Sequence, residues 1–294
     1  MRKIRTYHDV DTGGSAEVLE QVVAQQGRLA HRLSGIRHVV AVASGKGGVG
    51  KSAVTANLSA VLRSRGHAVG ALDADLAGPS LGRMTGVAGQ RLTEGEDGIA
   101  PAVAANGVKV FSMDLLQGAD DSPLRWRGPG GHDYLWQSTV EAGALREFVS
   151  DVVWGELDYL LVDVPPGTDK IHRLLTVVPN VSAALLVTTP SEMARFVVAK
   201  SARLVQEAEV PAGLVANMTK VVCPDCGRPT PLYPGDAVER LRDETGLAVW
   251  AELPFDRELA AATDGGRPFA VEHPEAAPSR ALLGLAEALE EACP

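Results

Sequence analysis

The chain has 294 residues, 45% of them apolar and 22% charged, enough to bury a sizeable core in one large domain or two small ones. A formal net charge of −9 argues against nucleic acid or an anionic membrane surface as a partner. No apolar run approaches the ~18 residues of a membrane span; "MRKIRTYHDVDTGG" lacks the apolar core of a signal peptide and three cysteines make no disulfide framework, so a cytoplasmic protein is expected.

In chain order, "SAEVLEQVVAQQGRLAHRLSG" carries Val18, Leu19, Val22, Val23, Leu29 and Leu33 at helical spacing, which predicts an amphipathic helix. From His38, "HVVAVA" reads as a buried strand, followed by a glycine-rich turn and the helix "KSAVTANLSAVLRSRG". Short apolar runs follow at "AVGALD", "VKVFSM", "DYLLVDV", "SAALLVTT", "AGLVANM" and "AVWAEL". Helices are expected over 133–153, 191–209 and 236–245, with a last one near 277–291. Buried runs alternating with helices mean parallel strands joined by crossovers. The expected fold is α/β: a mainly parallel β-sheet flanked by helices on both faces. It should occupy residues 38–294, behind an N-terminal helical extension over 1–37.

The first strand runs into "SGKGGVGKSAV". Within it "GKGGVGKS" matches G-x-x-x-x-G-K-[ST], placed after a strand and before a helix as a phosphate-binding loop requires. Gly45, Gly47, Gly48 and Gly50 let the backbone turn tightly, and the N–H groups of the loop, from Gly45 through Val49, would aim at phosphate oxygens. Lys51 would reach the β- and γ-phosphates and Ser52 would ligate Mg²⁺. Lys46 is a second lysine that such a loop does not need. Downstream, Asp163 ends "DYLLVDV" before "PPGT", a carboxylate at the carboxyl edge of a parallel strand suited to a water-mediated hold on Mg²⁺. Asp73 and Asp75 open "DADLAGPS" at the end of the second strand. Two carboxylates so close to a triphosphate need a cation or a bound water between them.

Cys223 and Cys226 form a C-x-x-C in "VVCPDCGRP", within a loop near 219–234. Two thiols at this spacing supply half of a four-sulfur metal site. Structural zinc, a redox dithiol and an iron–sulfur cluster all satisfy the spacing. A late, proline-rich loop is a poor setting for the dithiol, which normally opens a helix. Two copies facing across a two-fold axis would bring four thiolates together. Cys293 has no partner at ligand spacing.

Taken in order, "GKGGVGKS", "DADLAGPS", "RGP" at Arg127, "WGELDYLLVDVPPGTD", "VTTP", "ANM" and "CPDCG" make the chain resemble the Mrp/ApbC-type iron–sulfur carrier ATPases, within the MinD/ParA superfamily of deviant P-loop ATPases. The resemblance implies a slow, Mg²⁺-dependent ATPase that works as a homodimer, with Lys46 crossing to the partner's phosphates. It implies that Asp75 orients the attacking water, that Asp163 and Asp73 stand in the outer shell of the metal, and that Asp73 also supports the switch. Asn217 of "ANM" would read adenine; a plain structural role fits it too. The resemblance also implies a [4Fe–4S] cluster bridged by Cys223 and Cys226 of two subunits, with apo iron–sulfur proteins as acceptors.

The chain departs from that pattern at Ala53, where the family has threonine, and at Asp169 and Lys170 after "PPGT", where it has Gly-Asp. Two other functions use the same motifs. A MinD/ParA-like positioning ATPase would want a basic amphipathic tail, whereas "SRALLGLAEALEEACP" is acidic. A Zn²⁺-bridged dimeric regulatory ATPase would use every residue named for the carrier.

Overall fold

The computed structural model describes residues 27–76, 78–115, 145–146, 148–223, 226 and 228–294. A helical segment over 27–33 (α1) leads into β1 (Ile36–Ser44), which is buried without interruption from Val39 to Ser44. A strand covered on both faces has no polar side to show, hence its continuous apolar run. Then follow α2 (Lys51–Ser64), β2 (Val69–Asp73), α3 (Leu81–Met84), a short ribbon of β3 (Thr93–Glu94) and β4 (Ile99–Ala100), β5 (Ala102–Val103) and β6 (Lys109–Phe111). Residues 145–146 and 148–151 are helical (α4) and precede β7 (Leu157–Asp163) and α5 (Thr168–Val177). The chain continues with β8 (Val181–Thr188), α6 (Glu192–Glu207), β9 (Ala212–Val222), β10 (Pro229–Pro231) and α7 (Ala237–Thr245). It closes with β11 (Val249–Phe255), α8 (Arg257–Asp264), α9 (Phe269–Glu272) and α10 (Ala277–Ala292).

The strands lie in the order β11-β9-β8-β1-β7-β2-β6, all parallel, with β5 antiparallel on β6 and β10 antiparallel on the far end of β9. Side chains alternate along β1. Val40 and Val42 meet Val54, Leu58 and Leu62 of α2 and Leu282, Leu285 and Leu289 of α10. Val39, Ala41 and Ala43 join Ile171 and Leu174 of α5, Val198, Ala202 and Val205 of α6 and Leu29 of α1. Helices thus cover both faces, and the parallel direction gathers the carboxyl ends of β1, β2, β7, β8 and β9 along one edge.

The helices expected over 191–209, 236–245 and 277–291 correspond to α6, α7 and α10. Only the end of the one expected over 133–153 is described, and the earlier part of the N-terminal helix and Arg127 lie outside the described residues. The strand read from His38 starts two residues earlier, at Ile36. The strand read as "AGLVANM" runs on to Val222, because its last residues are paired by β10 instead of by β8.

Candidate functional site: a phosphate loop and a cysteine hairpin

The loop between β1 and α2 needs its glycines for different reasons. Gly48 and Gly50 have φ of +77° and +82°, a region that side chains resist. A Cβ at Gly45 would stand 2.8 Å from Val197 of α6. Helix α2 has no side-chain cap at its N-terminus, so its first N–H groups and dipole face the concavity of the loop. Val49 is buried beneath it, while Gly47 and Gly48 are exposed.

The parallel pairing of β1 with β7 sets Asp163 beside this helix start. Its Oδ1 is 2.5 Å from Lys51 Nζ, and its Oδ2 accepts from Ser52 Oγ at 2.6 Å. Thr55 Oγ1 donates to Oδ1 at 3.1 Å. Asp163 is fully buried and Lys51 is 7% exposed, a charge pair with hydrogen bonds to absorb its remaining lone pairs.

Asp73 is the register partner of Asp163 on β2. It accepts from the backbone N–H of Asp75, Ser80 and Leu81 and from Ser112 Oγ, all at 2.9–3.0 Å. Burial first, and the Asp163 carboxylate second, push Asp73 up to about 7 in spite of those donors. Asp75, half-buried, accepts from Gly78 N at 3.1 Å and stands on the segment that leaves β2. Ser52, Asp73 and Asp163 offer only oxygen donors around one lysine, a set suited to a hard divalent cation.

Lys46 is half-buried, and its Nζ donates to Ser191 Oγ at 3.4 Å. Ser191 also caps α6 by accepting from Ala194 N. The loop is held from a further side by Asn217 of β9, whose Nδ2 donates to Val49 O at 2.8 Å. Asn217 Oδ1 accepts from Met218 N, which follows in a left-handed conformation (φ 57°).

Cys223 is half-buried and Cys226 exposed, and neither is in a disulfide. They sit where β9 turns into β10, a turn pinned by Cys223 N donating to Arg228 O at 3.0 Å. Among the described residues no group of three or more His, Cys, Asp and Glu is gathered tightly enough to hold a metal. Cys293 is apart from both centres; its burial pushes the thiol up to about 11.

Three supporting residues were not read from the sequence. Thr55 lies one helical turn beyond Lys51, a spacing that could have flagged it. Ser112 and Ser191 carried no signal, since each depends on which strand end lies beside it.

A parallel sheet whose central strand delivers a glycine loop to a helix, with lysine, serine and aspartates converging at the carboxyl edge, defines a P-loop ATPase. The chain belongs to the ParA group described as NUBPL iron-transfer P-loop NTPases, whose family model matches residues 35–290. It is 36% identical to an iron–sulfur cluster carrier protein of Saccharolobus solfataricus, over 92% of this chain and 89% of that one. Among solved structures it is similar to a nucleotide-binding protein of Archaeoglobus fulgidus in complex with ADP and containing cobalt. That likeness has a TM-score of 0.70 and 33% identity, over 85% of this chain and 94% of the other. The cell division ATPase MinD of Pyrococcus furiosus has the same fold, with a TM-score of 0.59 and 25% identity, over 87% of this chain and 99% of that one.

Proposed function

We propose that this chain carries an iron–sulfur cluster as cargo, held between two copies, and that it loads or releases the cluster under control of slow, Mg²⁺-dependent ATP hydrolysis. One observation carries the coupling: both centres hang on β9. Asn217 on that strand grips the phosphate loop through Val49 O. Cys223 follows six positions later in the chain, beyond the left-handed Met218 and the register shift that lies between Asn217 and Val221, at the end of the same strand. A shift of the loop on nucleotide binding therefore has a continuous hydrogen-bonded strand through which to reach the thiols.

At the nucleotide, the loop amides and Lys51 bind phosphate oxygens, and Asn217, which reaches Val49 O from β9, would read adenine. Ser52 and Asp163, with Asp73 behind them, would hold Mg²⁺, which supplies neutralising charge to the phosphates. Asp75 orients the attacking water. Lys46 from the second copy completes the positive charge around the transferring phosphoryl group, as an arginine finger does. At the other centre, Cys223 and Cys226 of two chains give the four thiolates of a [4Fe–4S] cluster, and apo iron–sulfur proteins are the acceptors. Residues 38–294 form the ATPase domain in this reading and 1–37 an extension, whose segment 27–33 packs against it through Leu29. A positioning role at a membrane is disfavoured by α10, whose Leu282, Leu285 and Leu289 are already buried in the core.

Anaerobic reconstitution with iron and sulfide tests the reading. One cluster is expected for every two chains, lost in Cys223→Ala while ATP binding is kept. Transfer to an apo acceptor should run at different rates with ATP and with ADP. Equal rates would remove the coupling, and iron uptake by Cys223→Ala at the wild-type level would remove the carrier site.

A further inference from the structure

The phosphate loop carries two lysines, and the fold sends them to opposite sides of β1, which lies between β7 and β8. Lys51 Nζ goes to Asp163 at the end of β7. Lys46 Nζ goes instead to Ser191, which follows β8 and caps α6. The backbone around Lys46 is fixed against the same helix. Ser44 Oγ donates to Lys46 O at 3.0 Å, and a Cβ at Gly45 would lie 2.8 Å from Val197 of α6. With the main chain held at the entrance of the loop, the side chain of Lys46 is the part that can move.

Ser191 Oγ has one proton to give and two lone pairs to receive. Lys46 Nζ and Ala194 N can only donate, at 3.4 and 3.3 Å, and they take both lone pairs. The serine proton is then left for Thr189 Oγ1, which is buried 3.4 Å away at the exit of β8. Ser191 is thus anchored to helix and strand while it holds the lysine. Among the described residues it is the one hydrogen-bond partner of Lys46 Nζ. A neutral hydroxyl at that distance holds an ammonium group loosely, and a charged phosphate oxygen binds it more strongly.

We propose that Ser191 is the positioning residue of Lys46. It keeps the lysine on the start of α6 in a single chain and yields it when a second copy brings phosphate within reach. The inference rests on the reading of Lys46 as a finger for the second copy, and adds where the lysine waits and what must break before it acts. The bond to Ser191 then enters the barrier to hydrolysis. A tighter hold at position 191 slows turnover, and a looser one does not.

Ser191→Asp and Ser191→Gly separate this role from helix capping, since aspartate and glycine both cap a helix nearly as well as serine. The carboxylate pairs with Lys46 and holds it harder, whereas glycine lets it go. Turnover and KM for ATP are measured in full-length protein at several salt concentrations, with ATP binding followed by calorimetry. Lys46→Ala and the double variant Lys46→Ala/Ser191→Asp are measured beside them. Ser191→Asp should lower kcat about tenfold with ATP binding kept, and added salt should restore part of the loss by screening the pair. Ser191→Gly should turn over at or above the wild-type rate. The double variant should be no slower than Lys46→Ala alone, because its carboxylate has no lysine to hold. Wild-type kcat in Ser191→Asp, a loss indifferent to salt, or a further loss in the double variant would overturn the role of Ser191 and leave the finger standing. So would a fall in Ser191→Gly as deep as that of Lys46→Ala. Turnover of Lys46→Ala at the wild-type rate would sink the finger itself.

Discussion

Lys51 and Asp163 are 112 residues apart in the chain and 2.5 Å apart in the fold. The pair joins the first residue of α2 to the last of β7, and it is the sole cation–carboxylate pair among the described residues with both members buried. Asp73 stands beside it as a second buried carboxylate.

Lys51→Met should therefore do two things. ATP binding should be lost in calorimetric titration. Stability to denaturant should fall by about 3 kcal/mol, because Asp163 is left buried without its cation. The loss has a pH signature. Asp73 titrates near 7 against 3.8 for an ordinary aspartate, chiefly through burial and then through Asp163. With its folded value raised, the native state holds more protons than the unfolded chain across that window, so stability falls as pH rises from about 4 to 7. Without Lys51 to neutralise Asp163, the fall should steepen and extend above pH 7.

Lys46→Ala and Asp75→Ala should both keep ATP binding and lose turnover, by about a thousandfold for Lys46 if it acts as a finger from the second copy. Mixing separates them. Lys46→Ala combined with Lys51→Met should regain ATP hydrolysis that neither has alone, since the chain unable to bind nucleotide still lends its Lys46. Asp75→Ala combined with Lys51→Met should stay inactive if Asp75, as proposed, serves the nucleotide on its own chain. Rescue in the second mixture, or none in the first, reverses the assignment.

Gly50 and Asn217 form a tight joint between loop and strand. A Cβ at Gly50 would lie 2.3 Å from Asn217 Nδ2, on a backbone at φ +82°. Gly50→Ala should weaken ATP binding strongly and destabilise the fold by 1–2 kcal/mol or more, roughly the left-handed strain alone. Asn217→Ala should cost about 1 kcal/mol for its bond to Val49 O. The double variant should be more stable than the sum of the two, because the second change makes room for the first. Denaturant unfolding of the four proteins measures the coupling.

At the opposite edge of the sheet, Glu290 of α10 accepts from Arg65 Nε and Nη2 at 2.8 and 2.7 Å and faces His67 Nε2 at 2.8 Å. The Arg65 hydrogen bond, and after it that of His67, hold the Glu290 carboxyl down at about 2 against 4.5. A depressed folded value means a contribution present above pH 4.5 and lost as pH falls from there toward 2. Glu290→Gln should cost about 1 kcal/mol at pH 7, the screened value for a partly exposed pair. It should flatten the acid limb of the stability profile and leave ATP binding untouched.

Much of the nucleotide site was legible in the residues because its chemistry is local. Gly48, Gly50, Lys51 and Ser52 act through backbone conformation and helix start, and those are set by neighbours in the chain. Asp163 and Asp73 could be read as well, since an aspartate closing an apolar run ends at the carboxyl edge of any parallel strand. Thr55, Ser112 and Ser191 could not, because a lone hydroxyl acquires meaning only from the strand end beside it. Asn217 was visible as a motif residue; its grip on Val49 O was not.

The sequence by itself determined that a phosphate loop exists, that the sheet is parallel and that two thiols share one turn, because spacing along a chain dictates all three. The tertiary structure decided that Lys51 meets Asp163, that β9 links Asn217 to Cys223, and that Phe255 of β11 comes beside Val221. Those are relations between strands, set by register and by the order of strands in the sheet. Neither is written in any one segment, because each arises only when separate segments bury their apolar faces against one another.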